Sequence, residues 1–144
     1  MGTATRLRIL VVDDDQDWGE LVELYLLGLG HDVKLLMNGA SAVRYARSNP
    51  LDLILMDIGM PGRLNGYDAT RQIRALKNAR PVIIAVTGWS RAEDVSRGVA
   101  AGFNQHLTKP FDFDVLSATV ESICRKPKAT ASRPRASQVF RRPS

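Results

Sequence analysis

Short apolar runs alternate with longer amphipathic stretches over the first 125 residues of the chain. The run at 8–13 has four consecutive apolar residues between polar neighbours, which is typical of a central strand that is buried on both faces. Four similar runs predict further strands at 31–36, 51–57, 81–87 and 104–108. The pattern therefore predicts a sheet of five short strands.

The stretches between these runs carry apolar residues at helical spacing. We expect Asp17 to cap the first helix and Gly30 to end it. The inward side of that helix is predicted to carry Leu21, Leu24, Tyr25 and Leu29. Four further helices are predicted at 40–47, 67–76, 93–101 and 112–125. The second is predicted to bury Ala42, Val43 and Ala46, and the last Val115, Leu116, Thr119, Val120 and Ile123.

Strand and helix alternate five times with short connections. Such an order requires right-handed crossovers, and it predicts an α/β fold with a doubly wound parallel sheet and helices on both faces. In sheets of this kind, ligands bind beyond the carboxyl ends of the strands. Four polar residues, Asp13, Asp57, Thr87 and Lys109, lie at or just after such ends. We therefore expect a functional site at this edge of the sheet.

An acidic pair, Asp13 and Asp14, follows the first predicted strand, and Asp57 ends the third. Three carboxylates in one concave site would repel one another, and a hard divalent cation with oxygen ligands, such as Mg²⁺, would relieve that repulsion. The neighbouring Asp15 and Asp17 fit helix capping better. These acids therefore predict a magnesium site.

Phosphoryl transfer is the chemistry that best uses this set of residues. It needs an in-line nucleophile and compensation of the charge on the transferred group, with little covalent help from the protein. Asp57 can be the nucleophile and form an acyl phosphate. Lys109 can hold one phosphoryl oxygen as a point charge, and the Thr87 hydroxyl can donate to another.

Composition and charge narrow the class of protein. The 144 residues are enough for one domain, and 44% hydrophobic with 24% charged residues is ordinary for a globular chain. There is no membrane-length apolar run and no signal peptide, and Cys124 is the single cysteine, so we expect a cytoplasmic protein. The net charge of +5 comes from residues 125–144, which contain seven basic residues and no acid. We expect residues 126–144 to form a disordered basic tail.

Four motifs in this order resemble the receiver domain of two-component response regulators. They are Val11-Val12-Asp13-Asp14, Leu55-Met56-Asp57-Ile58-Gly59-Met60-Pro61, Val86-Thr87-Gly88 and Thr108-Lys109-Pro110-Phe111. The resemblance covers about residues 6–125, which we take as the domain at 1–125. It implies a flavodoxin-like sheet with strand order 2-1-3-4-5 and five flanking helices. The sequence at 101–106 looks most like that of receivers attached to hybrid kinases.

The resemblance also implies a role for each acidic residue. Asp57 would be the phosphoacceptor for a histidine kinase or a histidine phosphotransfer protein. Asp14, Asp57 and the backbone carbonyl of Gly59 would bind Mg²⁺ or Mn²⁺, with Asp13 acting mostly through water. The domain would then be a phosphoacceptor signalling domain rather than an enzyme, although it would assist its own phosphorylation and dephosphorylation.

For the remaining site residues, the resemblance implies that Thr87 and Lys109 bind the phosphoryl group and that the Lys109–Pro110 bond is cis. The family's switch aromatic stands three residues before the lysine, where this chain has His106. An imidazole can follow the same movement as Thr87, and a plain surface histidine is the alternative. Trp89 would either shield the acyl phosphate from water or face a partner.

Several alternatives bear on function. A haloacid-dehalogenase-type phosphatase needs a second acid where this chain has Gly59, and a dinucleotide-binding domain needs glycines where it has Asp13 to Asp15. A receiver fragment of a hybrid kinase and a phosphorylation-independent binding module stay open. We expect a stand-alone receiver that acts on a downstream protein or relays the phosphoryl group. DNA binding by the tail is disfavoured, and homodimer formation is left open.

Overall fold

A computed structural model describes residues 5–60, 64–77, 80–88 and 98–125. The five predicted strands are all present in it. They are β1 (Arg8–Val12), β2 (Asp32–Leu36), β3 (Leu53–Asp57), β4 (Val82–Thr87) and β5 (Gln105–Thr108). All pairings are parallel, and the strand order is β2-β1-β3-β4-β5. The predicted doubly wound sheet and its strand order are therefore confirmed.

The helices follow the predicted alternation with the strands. They are α1 (Gln16–Gly28), α2 (Gly39–Ser48), α3 (Gly66–Arg74), α4 at the helical residues 98–101, and α5 (Phe113–Arg125). The start of the predicted fourth helix, Pro61, Trp89 and the tail at 126–144 lie outside the described residues. Within the described ranges, no helix combines the length and the apolar character needed to cross a bilayer.

The chain divides into two compact units. The first, Arg6–Pro110, contains the whole sheet and α1 to α4. The second contains α5, where the Cys124 thiol lies 3.6 Å from the carbonyl oxygen of Thr5. The domain limit predicted at residue 125 stays a prediction.

The three central strands, β1, β3 and β4, are largely buried and apolar on both sides, whereas the outer strands β2 and β5 are half-buried or exposed. Every residue of β3 is buried, which explains why its sequence has no polar alternation before Asp57. On one face, alternate residues of β1, β3 and β4 join α2 and α3 in a single apolar core. That core includes Leu10, Val12, Ala42, Val43, Ile54, Met56, Ala69, Ile73, Ile83 and Ala85. This packing holds the strand ends in fixed register.

The start of α1 differs from the prediction. Its N-cap is Asp15, whose carboxylate accepts a hydrogen bond of 3.1 Å from the backbone N–H of Trp18. Asp17 lies two residues further on, in the first turn of the helix, where its negative charge is stabilised by the positive end of the helix dipole. The helix therefore begins closer to the acidic pair than the sequence pattern indicated.

The predicted inward face of α1 is also wrong. Three of its leucines are exposed, by 51% at Leu21, 66% at Leu24 and 40% at Leu29. The buried residues are instead Gly19, Val22 and Leu26. A Cβ at position 19 would lie 2.8 Å from Cδ1 of Leu35, so Gly19 packs closely against β2. The side of α1 that carries Gly19 therefore faces the sheet, and the leucines lie on its outer side.

On α5 the prediction is right in part. Leu116 and Val120 are buried four residues apart on one side of the helix, whereas Val115 is 46% exposed. One residue corresponds to about 100° around an α-helix, so Val115 lies well away from the buried stripe. The apolar face of α5 is therefore narrower than predicted.

Arg74, at the end of α3, is a half-buried cation whose guanidinium donates hydrogen bonds to three neutral acceptors. It donates to the carbonyl oxygens of Gly102 (2.9 Å) and Pro81 (2.7 Å) and to Oδ1 of Asn104 (2.6 Å). Asn104 Oδ1 also accepts from the backbone N–H of Ile83 at 2.8 Å. Burial lowers the pKa of Arg74 to about 10. Arg74 thus ties α3 to the ends of β4, α4 and β5.

We expect Arg74→Ala to lower the free energy of unfolding by about 1–3 kcal/mol, because it leaves three acceptors, two of them partly buried, without their donor. The matched control is Arg71→Ala on the same helix, since the side chain of Arg71 is exposed and forms an ion pair of 3.0 Å with Asp68 at the surface. That control should change stability by less than about 0.5 kcal/mol. Urea unfolding checks both values, and equal losses in the two variants would contradict the role given to Arg74.

Candidate functional site

The carboxyl ends of four strands bring the predicted site residues together. Asp13 follows β1, Asp57 ends β3 and Thr87 ends β4, while Lys109 follows β5. Because the strands are parallel and adjacent, these ends meet at one edge of the sheet, as in other doubly wound folds. Asp13, Asp57 and Thr87 are buried, with 3%, 7% and 4% of their surface exposed. The predicted gathering of these residues is therefore present in the structure.

Three carboxylates form the core of this site. One oxygen from each of Asp13, Asp14 and Asp57 can be chosen so that all three lie within 4.8 Å of one another. Asp13 and Asp57 are buried, whereas Asp14 is exposed. Carboxylate oxygens with one side open to water are the ligand set that Mg²⁺ prefers. The cluster therefore fits a divalent cation.

The surroundings of Asp57 destabilise the ionised form of its carboxyl group. Burial raises its pKa to about 7, and the neighbouring Asp13 carboxylate acts in the same direction. A hydrogen bond of 2.9 Å from the Gly59 backbone N–H to Oδ1 and the charge of Lys109 oppose this rise. The excess of negative charge is the physical reason why a cation at this position would be stabilising.

The backbone around Asp57 depends on a glycine at the start of α3. A Cβ at Gly66 would lie 2.5 Å from the carbonyl oxygen of Asp57 and 2.6 Å from Cα of Ile58. The helix can begin there because position 66 has no side chain, and Asn65 caps it through a bond of 3.0 Å to the N–H of Asp68. This contact supports the residue that carries the site carboxylate.

Lys109 lies between the two buried carboxylates. Its Nζ is 2.9 Å from Oδ2 of Asp13 and 4.0 Å from Oδ2 of Asp57. Burial works to lower the pKa of Lys109, but the hydrogen bond and charge of Asp13 outweigh it, and the pKa is raised. The Lys109–Pro110 peptide bond is cis, as the family resemblance predicts. The lysine is therefore a fixed positive charge beside Asp57.

The roles of the remaining predicted residues are less defined. Thr87 accepts a backbone hydrogen bond of 2.6 Å from Lys109 through its carbonyl oxygen. His106 is half-buried on β5 and stands opposite Ala85 in register. Gly59 is exposed beside Asp57. The switch role of His106 and the ligand role of the Gly59 carbonyl stay predictions.

Sequence reasoning missed one residue of the site, Trp18. Its ring centroid lies 5.9 Å from Nζ of Lys109, within the range of a cation–π interaction. The two residues are far apart in the chain, and no local motif links them. The sequence feature that could have indicated a role at the site is the position of Trp18 in the first turn of α1, just after the acidic stretch.

Comparison with known proteins agrees with this fold and site. A model of the response regulator receiver domain matches residues 9–121, and the chain therefore belongs to that family. Members of the family are phosphoacceptor signalling domains that interact with histidine kinases and downstream effectors. The phosphatase and dinucleotide-binding alternatives are thereby excluded.

Two curated relatives are transcriptional regulatory proteins. ZraR of Escherichia coli (strain K12) is 36% identical over 119 residues, which are 83% of this chain and 26% of that protein. PrrA of Mycobacterium tuberculosis is 37% identical over 128 residues, which are 89% of this chain and 54% of that protein. The chain thus spans about a quarter of the length of ZraR and about half of PrrA.

A solved structure similar to this chain contains a metal. It is the receiver domain of the sensor histidine kinase PA1611 from Pseudomonas aeruginosa PAO1, with a magnesium ion coordinated in its active site cleft. The two are 37% identical with a TM-score of 0.76, and the match covers 83% of this chain and 98% of that one. A second similar structure, the BeF3-activated DrrB receiver domain, has 27% identity and a TM-score of 0.75 over 85% of this chain and 100% of the other.

Proposed function

We propose that this receiver accepts a phosphoryl group on Asp57 from a histidine kinase or a histidine phosphotransfer protein, in a reaction that depends on Mg²⁺. The observation that carries the proposal is the burial of Asp57 at the end of β3, between an acidic pair and Lys109. The phosphorylated domain then contacts a downstream protein or passes the phosphoryl group on.

The transfer is a displacement at phosphorus by an oxygen of Asp57. A bond forms between that oxygen and phosphorus, the bond from phosphorus to the donor histidine nitrogen breaks, and the nitrogen keeps the electron pair. Oδ1 is held by the Gly59 N–H, and Oδ2 faces Lys109. Oδ2 is therefore the oxygen that we assign as nucleophile.

The other residues compensate the charge of the transferred group. Asp13, Asp14 and Asp57 would hold Mg²⁺, which supplies positive charge to the phosphoryl oxygens when bound. Lys109 turns its ammonium from Asp13 to a phosphoryl oxygen, and the Thr87 hydroxyl donates to another. Each of these groups acts on charge that is spread over the phosphoryl oxygens during the transfer.

A small-molecule donor tests this chemistry without a partner protein. Acetyl phosphate with Mg²⁺ is expected to add one phosphoryl group per chain, as measured by intact mass. The same donor in EDTA is expected to add none within the same time. An equal adduct in Mg²⁺ and EDTA would count against a metal-dependent site.

The exposed leucines of α1 support a docking surface for the phosphoryl donor. Leu21 and Leu24 project from the helix whose first turn adjoins the acidic pair, and single exposed leucines are common whereas several on one helix are not. We expect Leu24→Glu to slow transfer from a phosphorylated histidine kinase at least about tenfold, because a charge is placed in an apolar contact.

The same variant should react with acetyl phosphate at the wild-type rate, since the small donor needs no docking surface. Val99→Glu is the matched control, because Val99 is an equally exposed apolar residue on α4. Comparing the two donors across the three proteins separates docking from chemistry. Loss of both reactions in Leu24→Glu would mean that the site itself had been damaged.

A further inference from the structure

Among the described residues, two carboxylates and one aromatic ring lie close to the ammonium of Lys109, and the charge of Asp15 also attracts it. The carboxylate oxygens are Asp13 Oδ2 at 2.9 Å and Asp57 Oδ2 at 4.0 Å. The ring is the indole of Trp18, whose centroid lies 5.9 Å away. An ammonium over an aromatic face is attracted by the negative charge of the ring surface. The lysine is thus attracted by nearby carboxylates and by one neutral aromatic ring.

The two carboxylates can also bind a divalent cation, whereas the indole ring cannot. Both belong to the cluster that fits a divalent cation, so a bound cation competes with Lys109 for their oxygens. An indole ring offers no ligand to Mg²⁺. When Asp13 turns to a cation, the ring of Trp18 keeps its contact with the ammonium, and the charge of Asp15, which is outside the cluster, still attracts it.

The position of Trp18 is itself well defined. Its backbone N–H donates to the Asp15 carboxylate at 3.1 Å, which fixes the residue in the first turn of α1. Its side chain is half-buried, so the ring covers Lys109 from one side. The helix start therefore fixes the backbone of Trp18, and partial burial restricts its ring, which lowers the entropy cost of holding the ammonium.

We propose that Trp18 is a positioning residue for Lys109, and that its ring keeps the ammonium beside Asp57 when a divalent cation occupies the Asp13 carboxylate. This inference rests on the proposed function, because its purpose is to present Lys109 to the phosphoryl group. Trp18 touches neither the phosphoryl group nor the metal, and it acts through the lysine alone.

Rates with acetyl phosphate and Mg²⁺ give the first test. Trp18→Leu keeps an apolar side chain without a ring, and it should slow phosphorylation about three- to tenfold. Trp18→Phe keeps an aromatic face and should restore most of the rate. The Mg²⁺ affinity of both variants should stay within about twofold of wild type, because no ligand is changed. Equal rates in the Leu and Phe variants would overturn the proposal.

Fluorescence gives a test that needs no phosphorylation. The chain has two tryptophans, so Trp89→Phe leaves Trp18 as the single emitter. In that protein, Lys109→Met should change the Trp18 emission, and the difference should persist at saturating Mg²⁺. Loss of the difference when Mg²⁺ is added would overturn the proposal, since it would mean that the lysine leaves the ring with the cation.

The rate experiment and the fluorescence experiment together distinguish failure of this inference from failure of the proposed function. A wild-type protein that takes no phosphoryl group contradicts the proposed function, while the fluorescence difference still reports the Trp18–Lys109 contact. A wild-type protein that is phosphorylated normally, with no effect of Trp18→Leu, contradicts the positioning role alone. If Trp18→Leu does not fold, as judged by circular dichroism, the change in Trp18 emission caused by Lys109→Met tests the proposal instead.

Discussion

Asp57→Asn should stabilise the metal-free protein at pH 8 by about 2–4 kcal/mol. Burial raises the pKa of the Asp57 carboxyl from 3.8 to about 7, so the folded state binds its proton more tightly than the unfolded state. The stability that this group contributes is present below about pH 4 and is lost as the pH rises to about 7. Asparagine carries no charge and does not incur this loss.

Urea unfolding in EDTA at pH 4.5 and pH 8 measures this effect. The two proteins should differ little at pH 4.5 and clearly at pH 8. Mg²⁺ should stabilise the wild type at pH 8 by binding the folded state, and should stabilise the variant much less. Asp14→Asn is the control, because Asp14 is exposed and water screens its charge. A stability gain in Asp57→Asn that is the same at both pH values would contradict the account.

Lys109→Met should change phosphorylation and metal binding in opposite directions. Removing the ammonium takes away charge compensation at the phosphoryl oxygens, so the rate with acetyl phosphate should fall about 10²–10³-fold. The same change removes a positive charge 2.9 Å from Asp13 Oδ2, so the affinity for Mg²⁺ should rise. A variant that had simply lost its fold would lose both properties.

Lys34→Met serves as the control, since Lys34 is an exposed lysine on β2 outside the site. It should change neither quantity by more than about twofold. Rates from intact mass and affinities from an Mg²⁺ titration of intrinsic fluorescence give the comparison. A fall in both rate and Mg²⁺ affinity in Lys109→Met would show that the lysine supports the acidic cluster rather than the phosphoryl group.

The sheet and its acidic site follow from local features of the sequence. Continuous apolar runs such as the one before Asp57 form only where a strand is covered on both faces. Parallel strands end at a common edge, so polar residues at those ends must meet there. This is why the sequence alone predicts that Asp13, Asp57, Thr87 and Lys109 lie at one site.

The features that were missed depend on contacts between distant residues. α1 buries Gly19, Val22 and Leu26, with Gly19 packed against Leu35, whereas the sequence offered a more hydrophobic stripe of leucines. Arg74 binds mainly backbone carbonyls, which leave no trace in the sequence. The Trp18–Lys109 contact joins the first helix to the last strand end. The pattern of hydrophobic and polar residues does not determine which of these distant residues come into contact.

The most direct test of the central claim is the location of the phosphoryl group. Wild type, Asp57→Asn and the control Asp17→Asn, which changes an exposed carboxylate of α1, are incubated with acetyl phosphate and Mg²⁺. Intact mass should show one phosphoryl group on the wild type and on Asp17→Asn, and none on Asp57→Asn. An equal adduct on Asp57→Asn would contradict the assignment of Asp57 as the phosphoacceptor.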